Sequence, residues 1–197
     1  MAAVNPAKSS VMPRGSQPDD DLIVRIRSGD RSACEELVRR TYETVYRFLV
    51  HLTTDSDLAA DLTQDTFRAA WQKLDDFEGR ASVASWLHRI AYNRFVEVYR
   101  RHRRDRSAQE FLQVEFGRDE GATWPCATSR SDVAEYLSAA VKQLPEDQRA
   151  VVVLHYFEGL SLQETATVLE QPVGTVKWRL NTALTRLRAV VDAESVQ

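Results

Sequence analysis

The 197-residue chain is poor in cysteine, glycine and proline, with two, seven and six of them. Each scarcity excludes something. Cys34 and Cys126 stand alone, without CxxC or Cys/His spacing, so the sequence offers neither a zinc site nor a disulfide framework. Isolated thiols of this kind fit a cytoplasmic protein. No apolar run approaches the roughly 18 residues of a membrane span, so membrane insertion is not expected. The N-terminus places Pro6, Pro13 and Pro18 among small residues and lacks the apolar centre of a signal peptide. Residues 1–18 read as a disordered tail. There is no Walker-type glycine loop, no cluster of metal ligands and no nucleophile–base constellation. The sequence therefore points away from an enzyme, a cofactor, a bound metal and a small-molecule substrate. Alternating strand patterns are also missing, and the few Gly and Pro residues fall mostly between helical segments. An all-α fold follows.

The net charge of −3 seems unsuited to nucleic acid, but its distribution reverses that impression. Residues 80–106 hold eight arginines against Glu97 and Asp105, and residues 173–191 hold four basic residues and no acid. Phosphate attraction is local, screened within about 10 Å at ordinary salt. Two basic islands on an acidic chain thus suit a two-point contact with DNA.

The helical periodicity divides the chain in two. A first region spans about Asp19 to His51, with Ser32 and Glu35 as a capping box and Val38, Tyr42, Val45, Leu49 and Leu52 as an apolar stripe. After the turn at 53–57, a helix to Leu74 turns Leu62, Phe67, Ala70, Trp71 and Leu74 inward. Its opposite face carries Asp61, Asp65, Arg68 and Gln72. The segment Phe77 to Ser85 is a loop that restarts a helix near Ser82, running to about Arg104. Leu87, Ile90, Ala91, Phe95 and Val98 are its core side, while Trp86, Arg89 and Asn93 share another face. An aromatic, a cation and an amide together suit a nucleic-acid strand. From Asp105 to Ser131 periodicity dissolves, which reads as a flexible linker between domains.

The second domain, 132–191, begins with a helix to about Gln143 and another from Glu146 to Phe157, ended by Gly159. Ser161 and Glu164 form a capping box opening a short helix to Leu169. A turn at Glu170-Gln171-Pro172 precedes the last helix, Val173 to Val191, which buries Val176, Leu180, Ala183, Leu187 and Val190. This is a helix-turn-helix, a unit that lays its second helix in the DNA major groove. Residues 192–197 form a short tail, leaving no room for a folded regulatory module after Arg188.

With both halves in view, the chain resembles the extracytoplasmic-function (ECF) sigma factors of the sigma-70 family. The motifs are DLTQDTFRAAW, F-x-G-R-A-S and SWLHRIAYN in the first domain, then LPEDQR, EGLSLQETA and PVGTVKWR in the second. The resemblance implies a non-catalytic promoter-specificity subunit of RNA polymerase. Its partners would be core RNA polymerase (clamp helices and flap), promoter DNA and a separate anti-sigma factor.

The resemblance also implies roles for residues. Asp61, Gln64, Asp65, Arg68 and Gln72 (residues 19–104 being sigma domain 2) would dock on the polymerase clamp. Opening of the minus-ten element would fall to the loop residues Phe77, Arg80, Ala81, Ser82 and Ser85, with Trp86, Arg89, Asn93 and Arg94 on the following helix. Arg100, Arg101, Arg103 and Arg104 would meet phosphates near the upstream edge of the opened region. Thr175, Lys177, Trp178, Arg179, Asn181, Thr182 and Arg186 would read the minus-thirty-five duplex. Trp178 departs from the small polar residue usual at its position in the family, and its bulk suits a thymine methyl or a sugar. Two other classes fit the sequence less well. A helix-turn-helix regulator working without polymerase leaves SWLHRIAYN and its arginine run without a purpose. A nucleic-acid enzyme lacks its chemistry.

Overall fold

A computed structural model describes residues 20–110 and 138–194, and the side chains of 21–101 and 138–189. Among these residues every regular element is helical. The first domain holds α1 (Asp20–Arg27), α2 (Arg31–Thr53), α3 (Ser56–Gln72), a 3₁₀ turn (Leu74–Asp76) and α4 (Val83–Glu110). In the second, α5 is described over 138–142. It is followed by α6 (Glu146–Val152), a π turn (Val153–Phe157), α7 (Leu162–Leu169) and α8 (Val173–Glu194).

The helical region expected over about 19–51 consists of two helices, α1 and α2. Gly29 adopts φ +89, and the Gly29 and Asp30 amides donate back to the Ile26 and Arg25 carbonyls. That is a left-handed cap a β-carbon would strain. Asp30 then caps α2, accepting from the Ser32 and Ala33 amides at 2.9 and 3.3 Å. The expected capping box on Ser32 is therefore not the one formed; the cap stands two residues earlier. Hydrogen bonds from Ser32, then from Arg25, hold the Asp30 carboxyl down from 3.8 to about 2. Thr54 (φ 59) ends α2 and Asp55 caps α3.

α2, α3 and α4 pack mutually around Phe48, Leu49, Leu52, Leu62 and Leu87, all essentially removed from solvent. Each such side chain contributes roughly 1.5–3 kcal/mol by burial. Thr41, Thr63 and Thr66 are buried beside them because their hydroxyls donate to the carbonyls four residues back, each at 2.7 Å. Trp71 and Tyr42, both expected inward, are partly exposed; Tyr42 stacks on Tyr46 and Phe67 at the edge of the core. Cys34 is a free, half-buried thiol packed against that core.

Helix α4 runs to Glu110, past the expected boundary at Arg104, and α8 runs to Glu194, past the expected end at Val191. Residues 105–110 are thus helix rather than linker. The rest of the expected linker from 111 to 131, the tail 1–18 and Cys126 lie outside the described residues.

In the second domain Gly159 takes φ +69, as its place after the helix requires. Ser161 and Glu164 form the reciprocal capping box of α7. Helix α8 buries Val176, Leu180, Ala183 and Leu187 against α6 and α7; the Val190 side chain lies outside the described residues.

Candidate nucleic-acid interface

The loop between the 3₁₀ turn and α4 is tied down from two sides. Arg27 donates to the carbonyls of Leu74 and Phe77 at 2.7 and 2.6 Å. Ser82 caps α4, its hydroxyl accepting from the Ser85 amide at 3.1 Å and donating to the Ser85 hydroxyl at 2.9 Å. Ser85 is accordingly buried, and so is Phe77. Neither faces a strand in this arrangement; they shape the loop instead. Arg80 is exposed and pairs with Glu78 at 2.7 Å. Ala81 and Ser82 are half-buried.

Trp86 packs on Phe77 with ring centroids 5.1 Å apart, so it is half core and half surface. Its outer part joins Arg89, Asn93 and Arg94 in an open cleft of about 440 Å³, also lined by Lys73 and Glu97. Arg94 donates to Glu97 at 3.0 Å. The three residues placed on one face by spacing alone are thus together. Arg100 and Arg101 are exposed one turn further along α4. The side chains of Arg103 and Arg104 lie outside the described residues.

On α3, Asp61, Gln64, Arg68 and Gln72 are exposed and Asp65 half-buried, and Arg68 pairs with Asp65. This forms a polar ridge beside the partly exposed Trp71.

On α8, Lys177, Trp178, Asn181 and Arg186 are exposed, and Thr175 and Thr182 are half-buried. Trp178 presents 63% of its surface. The Thr182 hydroxyl donates to the Trp178 carbonyl at 2.9 Å. Arg179 differs from expectation: it turns inward to Asp147 at 3.2 Å and is mostly covered. In this arrangement it braces α8 on α6.

The two domains touch. Arg89 donates to Glu170 at 2.7 Å, and Arg149 donates to the Leu52 carbonyl at 2.7 Å. Burial pushes the Arg149 guanidinium below its usual range. His88 and Glu158 approach to 3.5 Å, with side chains only 2% and 4% exposed. The His51 ring meets Phe157 at 4.6 Å, and burial lowers its pKa.

Comparison with known proteins follows the same two-part division. Residues 37–105 match Sigma-70 region 2, and residues 134–187 match Sigma-70, region 4. The RNA polymerase sigma-H factor of Pseudomonas aeruginosa is 32% identical over 83% of this chain and 89% of its own. The ECF RNA polymerase sigma-E factor of Escherichia coli K12 is 30% identical, over 82% and 88%. Among solved structures, the sigma factor RpoE bound to the anti-sigma factor NepR from Bartonella quintana is 25% identical. It covers 80% of this chain and 96% of its own, with a TM-score of 0.63. With both regions matched in order over well over half the chain, and relatives aligned over most of their length, the protein belongs to the sigma-70 family of RNA polymerase sigma factors, in its ECF branch.

Proposed function

We propose that the work of this sigma factor divides among three surfaces. The α3 ridge of Asp61, Gln64, Asp65, Arg68 and Gln72 docks core RNA polymerase. The α4 cleft of Trp86, Arg89, Asn93 and Arg94 holds the strand exposed when the minus-ten element opens. The outer face of α8, with Lys177, Trp178, Asn181 and Arg186, reads the minus-thirty-five duplex. One observation carries the reading. Cationic, amide and aromatic side chains gather on the outer faces of α4 and α8, away from their fully buried stripes.

The chemistry fits each task. A base must leave the stack before its Watson–Crick edge can be held. Asn93 offers an acceptor and two donors for that edge, and Trp86 a face for stacking. Arg80, Arg89, Arg94, Arg100 and Arg101 supply phosphate contacts, which position the strand rather than choose its sequence. Lys177 can donate to guanine and Asn181 can pair with adenine in the major groove. Phe77 and Ser85 support the loop, and Arg179 reaches DNA only if released from Asp147.

The protein acts in the cytoplasm as a non-catalytic subunit, and a separate anti-sigma factor covers its polymerase-binding surfaces. The relative solved with NepR supports that mode of control. Among the described residues no helix is long and apolar enough to cross a membrane. The test is reconstitution. Purified protein should co-elute with core polymerase and direct initiation from a defined start site, and Asn93→Ala should lower strand opening without lowering polymerase binding. Duplex binding with no affinity for polymerase would refute the assignment.

A further inference from the structure

We propose that Arg27 of α1 is a positioning residue for the minus-ten contact: it fixes the backbone that walls the α4 cleft, and through that wall the choice of minus-ten sequence. The proposal rests on the assignment of the α4 cleft to the opened strand. Helix α1 lies N-terminal to the matched region 2, so the match itself gives this residue no role.

The geometry makes the case. Leu22, Ile23 and Ile26 are buried, which seats α1 against α2 and the 3₁₀ turn. From the last turn of that helix, Arg27 Nη2 donates to the Leu74 and Phe77 carbonyls at 2.7 and 2.6 Å, with the Asp75 carbonyl at 3.2 Å. One nitrogen thus bridges the 3₁₀ turn from its first residue to the residue after its last. A turn this short cannot satisfy its final carbonyls from within. Hydrogen bonds from a cation are roughly twice as strong as neutral ones. Because all three acceptors are main-chain, the side chains of the segment are left for other work. Lys73 and Asp76 line the cleft with Trp86 and Asn93, and the Phe77 ring lies beneath Trp86.

Burial does not place the rest of this wall. Glu78, Gly79 and Arg80 are exposed, so the loop is set by its two ends, Arg27 at one and the Ser82 cap at the other. Holding a base edge requires the surrounding side chains to stand within about 0.5 Å of their working places. Docking through α3 and duplex reading through α8 make no use of this wall. Arg27 therefore governs which minus-ten sequences are held, and neither of the other two contacts. It is exposed, so replacing it opens no cavity in the core. Arg25 supplies the contrast. Two positions away on the same helix, it pairs with Asp30 at 2.7 Å and donates to Ser32 at 3.2 Å, at the corner between α1 and α2.

The experiment compares Arg27→Ala, Arg27→Lys and Arg25→Ala with the wild type, all in the full chain. Hydrogen exchange is followed by mass spectrometry in the free protein. Initiation by the reconstituted holoenzyme is ranked over single-base substitutions in the minus-ten element, at a temperature where every variant is folded. Arg27→Ala should speed exchange several-fold over 75–82 and leave α3 unchanged. Its discrimination among minus-ten sequences should fall several-fold, with affinity for core polymerase and the ranking of minus-thirty-five variants unaltered. Arg27→Lys keeps a charge and a donor and should recover part of both losses; it carries the comparison if Arg27→Ala folds poorly. Arg25→Ala should lower the urea midpoint and keep the wild-type ranking, because a merely structural loss scales all promoters alike. Exchange over 75–82 that stays at the wild-type rate in Arg27→Ala overturns the proposal. So does an unaltered minus-ten ranking, or an Arg25→Ala protein whose ranking flattens equally. The two ideas fail differently. If the wild-type holoenzyme shows no minus-ten preference, the assignment of the cleft falls and this proposal with it. If the wild type discriminates and Arg27→Ala does so equally well, the role of Arg27 alone is wrong.

Discussion

Trp86 leans on Phe77 with ring planes 54° apart and centroids 5.1 Å apart, so a residue of the α4 cleft is set by a residue of the core. Phe77 is 7% exposed, and removing its ring leaves a cavity directly beneath Trp86. Phe77→Ala should cost about 3 kcal/mol of stability, read as a lower urea midpoint. Strand opening should fall with it. Phe77→Leu should restore most of the stability while leaving opening partly impaired, because the tilt of Trp86 depends on ring shape. Permanganate footprinting of thymines in the opened region, compared with the urea midpoint, separates the two effects.

The polar ridge on α3 makes a different demand. Arg68 and Asp65 pair on an exposed surface, where such a pair contributes about 0–1 kcal/mol. Arg68→Glu should therefore leave thermal stability nearly unchanged. If the ridge docks polymerase, the reversal puts like charges together at the interface. Affinity for core polymerase should drop about tenfold, near 1.4 kcal/mol, in a competition assay against the wild type. Unchanged competition would remove Arg68 from the docking surface.

Asp30 gives a pH signature. Its carboxyl is held at about 2 in the folded chain against 3.8 ordinarily. A folded value below the unfolded one means stability that is fully present above 3.8 and is lost as pH falls through that interval. Asp30→Asn keeps an acceptor for the Ser32 and Ala33 amides but cannot titrate. The wild type should exceed it in urea midpoint at neutral pH, and the gap should close between pH 3.8 and about 2. A gap constant across that interval would mean that the cap carries no such linkage.

Much of this architecture is legible in the sequence, and what escapes it has a common cause. The Ser161–Glu164 box, Gly159 and the buried stripe of α8 are local signals, and the chain folds as they indicate. Trp86, Arg89 and Asn93 are gathered in one cleft as helical spacing requires. The split of the first helical region was readable too, in Ser28-Gly29-Asp30, but a capping box at Ser32 competed with it and the left-handed glycine prevailed. Phe77 and Ser85 look like loop residues because loop sequence does not reveal which side chains turn inward. Glu170 and Arg89 are 81 positions apart, and no periodicity links them. Pairing across domains is decided by surfaces that exist only once both have folded.

The contrast between Trp178 and Arg186 tests how α8 reads DNA. Both are exposed on the helix, Trp178 at 63%, and neither supports the core. Their chemistry differs. A guanidinium facing phosphate adds affinity for any sequence, whereas an indole reaching base edges discriminates among them. Arg186→Ala should weaken holoenzyme binding to all minus-thirty-five variants alike. It should also reduce the slope of log affinity against log salt by about 0.9, the loss of one phosphate contact. Trp178→Ser should leave that slope unchanged and flatten the ranking of minus-thirty-five variants, most at positions where a thymine methyl is replaced. Stability should move by less than about 0.5 kcal/mol in both, as for surface sites away from caps and core. A Trp178→Ser protein with unaltered strength and unaltered ranking would show that the indole stands clear of the groove. An Arg186→Ala protein that changes the ranking would show that this side chain reads bases and not backbone.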